Sequence, residues 1–205
     1  TTNYSEATNQ STLDDALTAA QAIVDGTNDT SDSSAVADAV TKLTNATNGL
    51  DGNSVLTNAK SAATSAIDAL TNLTDAQKSA AKSAVESATT ASAATSAASD
   101  ATTLDGNMSD LKAAIAAAES AKNTTNYSEA TNQSTLDDAL TAAQAIVDGT
   151  TDTSDSSMVS AATTALTNAT NSLDGDSTLA NAKSAATSAI DALTNLTDAQ
   201  KSAAK

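Results

Sequence analysis

The sequence predicts an all-α protein: tandem small three-helix bundles joined by long helices into an elongated rod. Three observations predict it. Residues 1–82 recur as 124–205 with ten differences, leaving 72 of 82 positions identical, and near-copies at a fixed offset mark an array unit. Apolar residues step by three and four, and no stretch alternates as a strand would. The 40% hydrophobic share is mostly alanine, with aromatics at 1%, and such small side chains build only thin layers between closely approaching helices.

Composition also narrows function. The formal net charge is −16, and all nine cations are lysine. That field repels nucleic acid and anionic lipid and discourages self-association, so a monomer without a nucleic-acid partner is expected. The sequence has no cysteine and no histidine, which removes a disulfide framework, the best zinc ligands and the usual general base. No apolar run approaches the roughly 20 residues of a membrane span, and no signal-peptide pattern opens the chain. Membrane insertion is therefore not expected. Because the chain starts and stops at matching phases of its repeat, it reads as a piece excised from a longer protein whose targeting signals lie elsewhere.

Taken in order, Ser11 and Asp14 spell a capping box ahead of Leu13, Ala16, Leu17, Ala20, Ile23 and Val24. They predict a helix from about Ser11 to Asp25, with an earlier start near Ser5 as the alternative, stopped by Asp25-Gly26. After an acidic loop, a second helix is expected from about Ser34 to Leu50, stopped in the same way by Asp51-Gly52. Its stripe of Val36, Ala39, Leu43, Ala46 and Leu50 recurs unchanged as Val159, Ala162, Leu166, Ala169 and Leu173, which reads as a buried face. A third helix, Ser54 to Leu73, carries Leu56, Ala59, Ala63, Ala66, Ile67, Leu70 and Leu73. The ten differences fall beside these stripes. Asp38 and Lys42, spaced as an i,i+4 ion pair, become Ala161 and Ala165 together, a cheap exchange if the pair is exposed and worth about 0.3–0.5 kcal/mol.

Thr74 and Gln77 form a second capping box and open a helix through Ala80, Ala84, Val85 and Ala88. The longest pattern follows: Ala94, Ala97, Ala101, Leu104, Met108, Leu111, Ile115 and Ala118 step by three and four without a break. It predicts one helix from about Ala91 to Lys122, about 48 Å long at 1.5 Å per residue. Gly106 sits inside it at a cost of about 1 kcal/mol relative to alanine.

Little in this chain points to chemistry. The acidic loop of Asp25, Asn28, Asp29 and Asp32 offers oxygen ligands, but it lacks EF-hand spacing and Asn28 becomes Thr151. It reads as helix caps and a solvated turn, so no metal or cofactor is expected. The pair Asp14-Asp15 reads as first-turn charge favoured by the helix dipole. With no nucleophile, oxyanion clamp or phosphate cradle in view, the chain is not expected to be an enzyme. Tyr4 and Tyr127, the only aromatics, are the candidate partner contacts, each expected to lay its ring on the bundle and leave its hydroxyl in water.

The segments Asn3-Tyr4-Ser5-Glu6-Ala7, Leu50-Asp51-Gly52, Leu56-Thr57-Asn58-Ala59-Lys60, Leu70-Thr71-Asn72-Leu73-Thr74-Asp75-Ala76-Gln77-Lys78 and Met108-Ser109-Asp110-Leu111-Lys112 resemble the repeat of giant extracellular-matrix-binding surface proteins of Gram-positive bacteria. That repeat alternates a FIVAR module with an albumin-binding-type GA module. The resemblance covers essentially the whole chain and implies a FIVAR-like module at 1–52, whose bundle could share the helix 54–73. A GA-like module at 53–122, with its long connecting helix at about 91–122, would follow, then a second FIVAR-like module at 123–175 and a truncated GA-like module at 176–205. It implies an extracellular, cell-wall-anchored location and a stalk that projects a terminal adhesive domain. The partners would be neighbouring repeats of the same chain. The alternative is weak multivalent binding of a host protein, from the extracellular matrix or albumin, with avidity from repetition. No aromatic lies on the helix from Asp75 to Ala88, so the resemblance carries over the architecture and not an albumin site.

Overall fold

The computed structural model describes residues 1–28 and 30–205. Asp29, one of the acidic-loop residues, lies outside the described residues. Among the described residues the chain is helix and turn, with no strand. It divides into two compact units, residues 1–71 with 78–102 and residues 72–77 with 103–205.

The first unit holds α1 (Thr2–Ser5), α2 (Gln10–Val24), α3 (Ser33–Asn48), α4 (Gly52–Ala69), most of α5 (Asp75–Ser87) and the first part of α6 (Ala91–Ala121). Ala63, Ile67, Val85, Ala94 and Ala101 are buried, so α4, α5 and the start of α6 supply one thin core. Lys60 Nζ donates to the Glu86 carbonyl at 2.7 Å, and Lys82 pairs with Asp68. Ala91 N–H, one of the orphan donors that open α6, is met by Glu6 Oε2 at 2.7 Å.

The second unit holds the α4–α5 turn, the rest of α6, and then α7 (Thr125–Ser128), α8 (Gln133–Val147), α9 (Ser156–Asn171), α10 (Gly175–Asp191) and α11 (Asp198–Ala204). Leu104, Met108, Leu111 and Ala118 of α6 are buried together with Leu136, Leu140, Ala143 and Ile146 of α8 and Val159, Leu166 and Ala169 of α9. Polar links join the same three helices. Asn107 Nδ2 donates to the Ser156 carbonyl at 2.9 Å, Gln144 Nε2 to Glu119 Oε1 at 3.1 Å, and Lys122 Nζ sits 2.7 Å from Asp137 Oδ1. α6 runs unbroken through Gly106, beside which there is open space.

Several local expectations are corrected by the structure. Ser11 and Asp14 form no capping box: α2 starts at Gln10, so Ser11 is already helical and Asn9 is the N-cap. Asp14 and Asp15 consequently lie beyond the first turn. Gly26 does end α2, in the left-handed region at φ 69°, where glycine has no steric penalty. Asp51-Gly52, however, opens a helix instead of closing one. α3 stops at Asn48, and Gly52 is the first residue of α4, buried under α1. A Cβ there would lie 2.2 Å from the Asn3 carbonyl oxygen, so this glycine provides close backbone approach, not turn freedom. Asp51 accepts from Thr8 N–H at 2.8 Å and Thr8 Oγ1 at 2.6 Å, and Asn53 N–H donates to Asn3 Oδ1 at 2.9 Å. The second copy repeats all three bonds through Asp174, Thr131, Asp176 and Asn126.

The third helix ends at Ala69 and not at Leu73, since Leu70 is extended. Asp105 explains the break. Its carboxylate accepts from Asn72 N–H at 2.6 Å, Asn72 Nδ2 at 3.0 Å and Leu73 N–H at 3.2 Å, while Lys112 Nζ donates to the Asn72 carbonyl at 3.0 Å. Backbone donors taken up by a side chain are unavailable to helix. The Thr74–Gln77 capping box forms as expected, and Gln77, only 1% exposed, also donates to the Thr153 carbonyl at 2.7 Å. Asp38 and Lys42 are both exposed, and no ion pair joins them among the described residues. The α3 stripe is not buried in the first copy, although Val159, Leu166 and Ala169 are buried in the second. In the second copy α6 lies against that side.

Candidate functional site

The two tyrosines sit on matching short helices, α1 and α7, each a single turn with the sequence Thr-Asn-Tyr-Ser. Such a turn is too short to stand alone. It is held by Gln10 in the first copy and Gln133 in the second, whose Nε2 donates to the tyrosine carbonyl at 2.7 Å and to the following serine carbonyl at 3.0 Å. These bonds satisfy orphan carbonyls of the turn.

Both hydroxyls are bonded instead of free in water. Tyr4 Oη donates to Asp14 at 2.8 and 3.0 Å, and Tyr127 Oη donates to Asp137 at 3.0 and 2.9 Å. The hydrogen bond to Asp14 raises the Tyr4 pKa, with desolvation and the carboxylate charge acting in the same direction. Tyr127 is raised in the same way by Asp137, against a lowering contribution from Lys122. Each phenol therefore stays protonated at neutral pH and serves as a hydrogen-bond donor; it is not poised as a nucleophile or base.

In the second copy a lysine joins the tyrosine–aspartate pair. Lys122, two residues ahead of the second copy, sits 5.4 Å above the Tyr127 ring and 2.7 Å from Asp137, a cation–π and ion-pair combination. The Lys122 bond lowers the Asp137 carboxyl, assisted by Tyr127. Asp14 has no such lysine among the described residues. Sequence reasoning found the tyrosines through their rarity and missed Asp14, Asp137 and Lys122 as their partners. The available signal was the ten-residue spacing of Tyr and Asp in both copies.

Elsewhere the surface carries two open depressions. One, of about 490 Å³, lies between α2 and α3 beside Asp15, Ala19, Lys42 and Asn45. Another, of about 450 Å³, is lined by Leu17, Thr18, Gln21, Ala22, Asp25 and Thr27. Among the described residues no group of three acidic, histidine or cysteine side chains is placed to hold a metal ion, and no helix is long and apolar enough to cross a membrane.

Two protein families match the chain. The FIVAR domain family matches residues 1–51 and 107–174, and the GA module family matches residues 53–107 and 176–205. The extracellular matrix-binding protein ebh of Staphylococcus aureus strain MRSA252 is 36% identical over 199 residues, and the ebh of strain MW2 is 38% identical over 198; each alignment covers 95% of this chain. The chain spans about 2% of the length of these relatives. The crystal structure of the EbhA 756–1003 domain from Staphylococcus aureus superposes with a TM-score of 0.92 at 32% identity, covering 99% of this chain and 83% of that one. A structure from the characterization of Embp-mediated Staphylococcus epidermidis adherence to fibronectin gives a TM-score of 0.56 at 25% identity, covering 59% of this chain and 98% of that one. The chain belongs to the FIVAR domain family, its FIVAR segments alternating with GA modules.

Proposed function

We propose that this chain is a spacer segment of a bacterial cell-surface adhesin, one stretch of a stalk that projects a terminal binding domain from the cell wall. The observation that carries this reading is where the families meet. The GA match ends and the FIVAR match begins at residue 107, inside the unbroken helix α6. At this one junction an unbroken helical backbone replaces a flexible linker, and continuous helix is the stiffer connection, which is what a spacer requires. None of the ten differences between the copies falls on a buried residue, which supports the same reading. A module boundary within α6 belongs to the proposal.

A second reading has a specific observation in its favour. Relatives carry the name extracellular matrix-binding protein, and one similar structure comes from work on adherence to fibronectin. Weak multivalent host-protein binding would use Tyr4 and Tyr127, whose rings are partly exposed. Immobilised fibronectin and albumin probed with the chain separate the two readings. The spacer reading predicts no saturable binding. Saturable binding lost in a Tyr4→Ala/Tyr127→Ala double variant would instead establish the second.

A further inference from the structure

The sequence has no cysteine, tryptophan or histidine and two methionines, so the sulfurs of Met108 and Met158 are its soft, oxidisable groups. The second unit brings both to one node. Buried Gln77 donates from Nε2 to the Thr153 carbonyl at 2.7 Å and to Met108 Sδ at 3.6 Å. Thr153 Oγ1 in turn donates to Met158 Sδ at 3.6 Å and accepts from Asp155 N–H at 3.2 Å. The two sulfurs stand in opposite surroundings, since Met108 is 0% exposed and Met158 is 51% exposed. Met158 is open in a copy that follows α6, and its counterpart Ala35 is unburied in a copy that precedes α4 to α6. The exposure therefore belongs to this place on the helix.

We propose that Met158 is a modification site that accepts oxygen from oxidants of the peroxide class, and that the tie between Gln77 and Thr153 withholds Met108 from the same reaction. The lone pair of Met158 Sδ attacks one peroxide oxygen. An S–O bond forms as the O–O bond breaks, the thioether is oxidised by two electrons to the sulfoxide, and the departing hydroxide takes the proton of the transferred oxygen and leaves as water. The new oxygen on Met158 has solvent around it and the Thr153 hydroxyl as a donor, so the fold tolerates it. On Met108 the same oxygen would place a polar group in the core shared with Leu111, Leu136 and Val159 and draw Gln77 Nε2 away from Thr153. Ala35 stands at the matching position of the first copy, so the site occurs in one copy of the two. The inference stands apart from the spacer reading.

The test treats the whole chain with hydrogen peroxide and follows sulfoxide at each methionine by mass spectrometry after digestion. Met158 should gain its oxygen at least about tenfold faster than Met108, because a fully buried sulfur reacts only through local opening. The two rates should become equal in urea, and the chain oxidised at Met158 alone should keep its helical circular dichroism. Gln77→Glu keeps the acceptor of the capping box but loses the donor to Thr153. It should quicken oxidation of Met108 about two- to tenfold, the worth of one hydrogen bond, and leave Met158 unchanged; Gln77→Ala serves in its place if the first variant loses helix. Equal rates in the folded unsubstituted chain, or rates that stay unequal in urea, overturn the assignment of the site. Loss of helix on oxidation of Met158 overturns it too, and a Met108 rate unaltered in a helical Gln77 variant overturns the role of the tie.

Discussion

The same substitution at two glycines of the second unit should shift stability in opposite directions. Gly175 opens α10 beneath α7, and an added Cβ would lie 2.0 Å from the Asn126 carbonyl oxygen and 2.8 Å from the Ala130 nitrogen. These are backbone atoms and cannot swing aside, so α7 must retreat by about 1 Å, with overpacking of this kind costing about 1–3 kcal/mol. The retreat strains the Asp174 bonds to Thr131 at 2.7 and 2.6 Å and the Asp176 bond to Asn126 at 2.8 Å, each worth about 1 kcal/mol. Gly175→Ala should therefore destabilise by about 2–4 kcal/mol in total. At Gly106, inside α6, nothing lies within 4 Å of the added methyl. Gly106→Ala should stabilise by about 1 kcal/mol through helix propensity alone. Urea unfolding followed by circular dichroism, together with amide exchange in α7 and α8, reads both effects. A neutral Gly175→Ala, or loss of stability on Gly106→Ala, would refute the assignment of one glycine to close approach and the other to an open helix face.

Burial differences between the copies give a second pair: Leu140→Ala should cost about 2–4 kcal/mol, whereas Leu17→Ala, at 51% exposure, should cost about 1 kcal/mol or less, measured by the same unfolding assay. Asp105→Ala strips the acceptor from two backbone N–H groups and the Asn72 amide; a loss of about 2–4 kcal/mol and faster exchange at Asn72 and Leu73 are expected. The pH response follows from the aspartates. At Asp105 burial pushes the carboxyl up, but the Asn72 and Leu73 hydrogen bonds and Lys112 outweigh it, so the pKa is lowered. Thr8 and Thr131 bonds lower Asp51 and Asp174. A depressed folded pKa gives stability that is present above the unfolded value of about 3.9 and lost as pH falls through the folded one. Thermal unfolding should thus change little between pH 7 and about 4.5 and fall steeply below about pH 4, less steeply in Asp105→Asn.

What the sequence made legible, and what it hid, divides along physical lines. The unbroken α6 was readable because its apolar phase continues through Gly106, and a single glycine costs too little to break so long a run. The Thr74–Gln77 box was readable because it is local. Gly52 was misread because sequence distinguishes a glycine that supplies positive φ from one that supplies room only through its distant partner, here Asn3. The end of α4 was hidden for a similar reason: its cause, Asp105, lies 33 residues from Asn72. At the candidate site the tyrosines stood out by rarity, whereas their fixing partners Asp14 and Asp137 read as ordinary helix charge. The exposed α3 stripe in the first copy was not legible at all, since burial of an apolar face depends on what covers it.

Small-angle X-ray scattering on the 205-residue chain tests the central claim, that it spaces and stiffens, most directly. A compact globule of this length has a radius of gyration of about 17 Å. The spacer reading predicts a value about twice that, with a rod-like distance distribution. A radius near the globular value would contradict it.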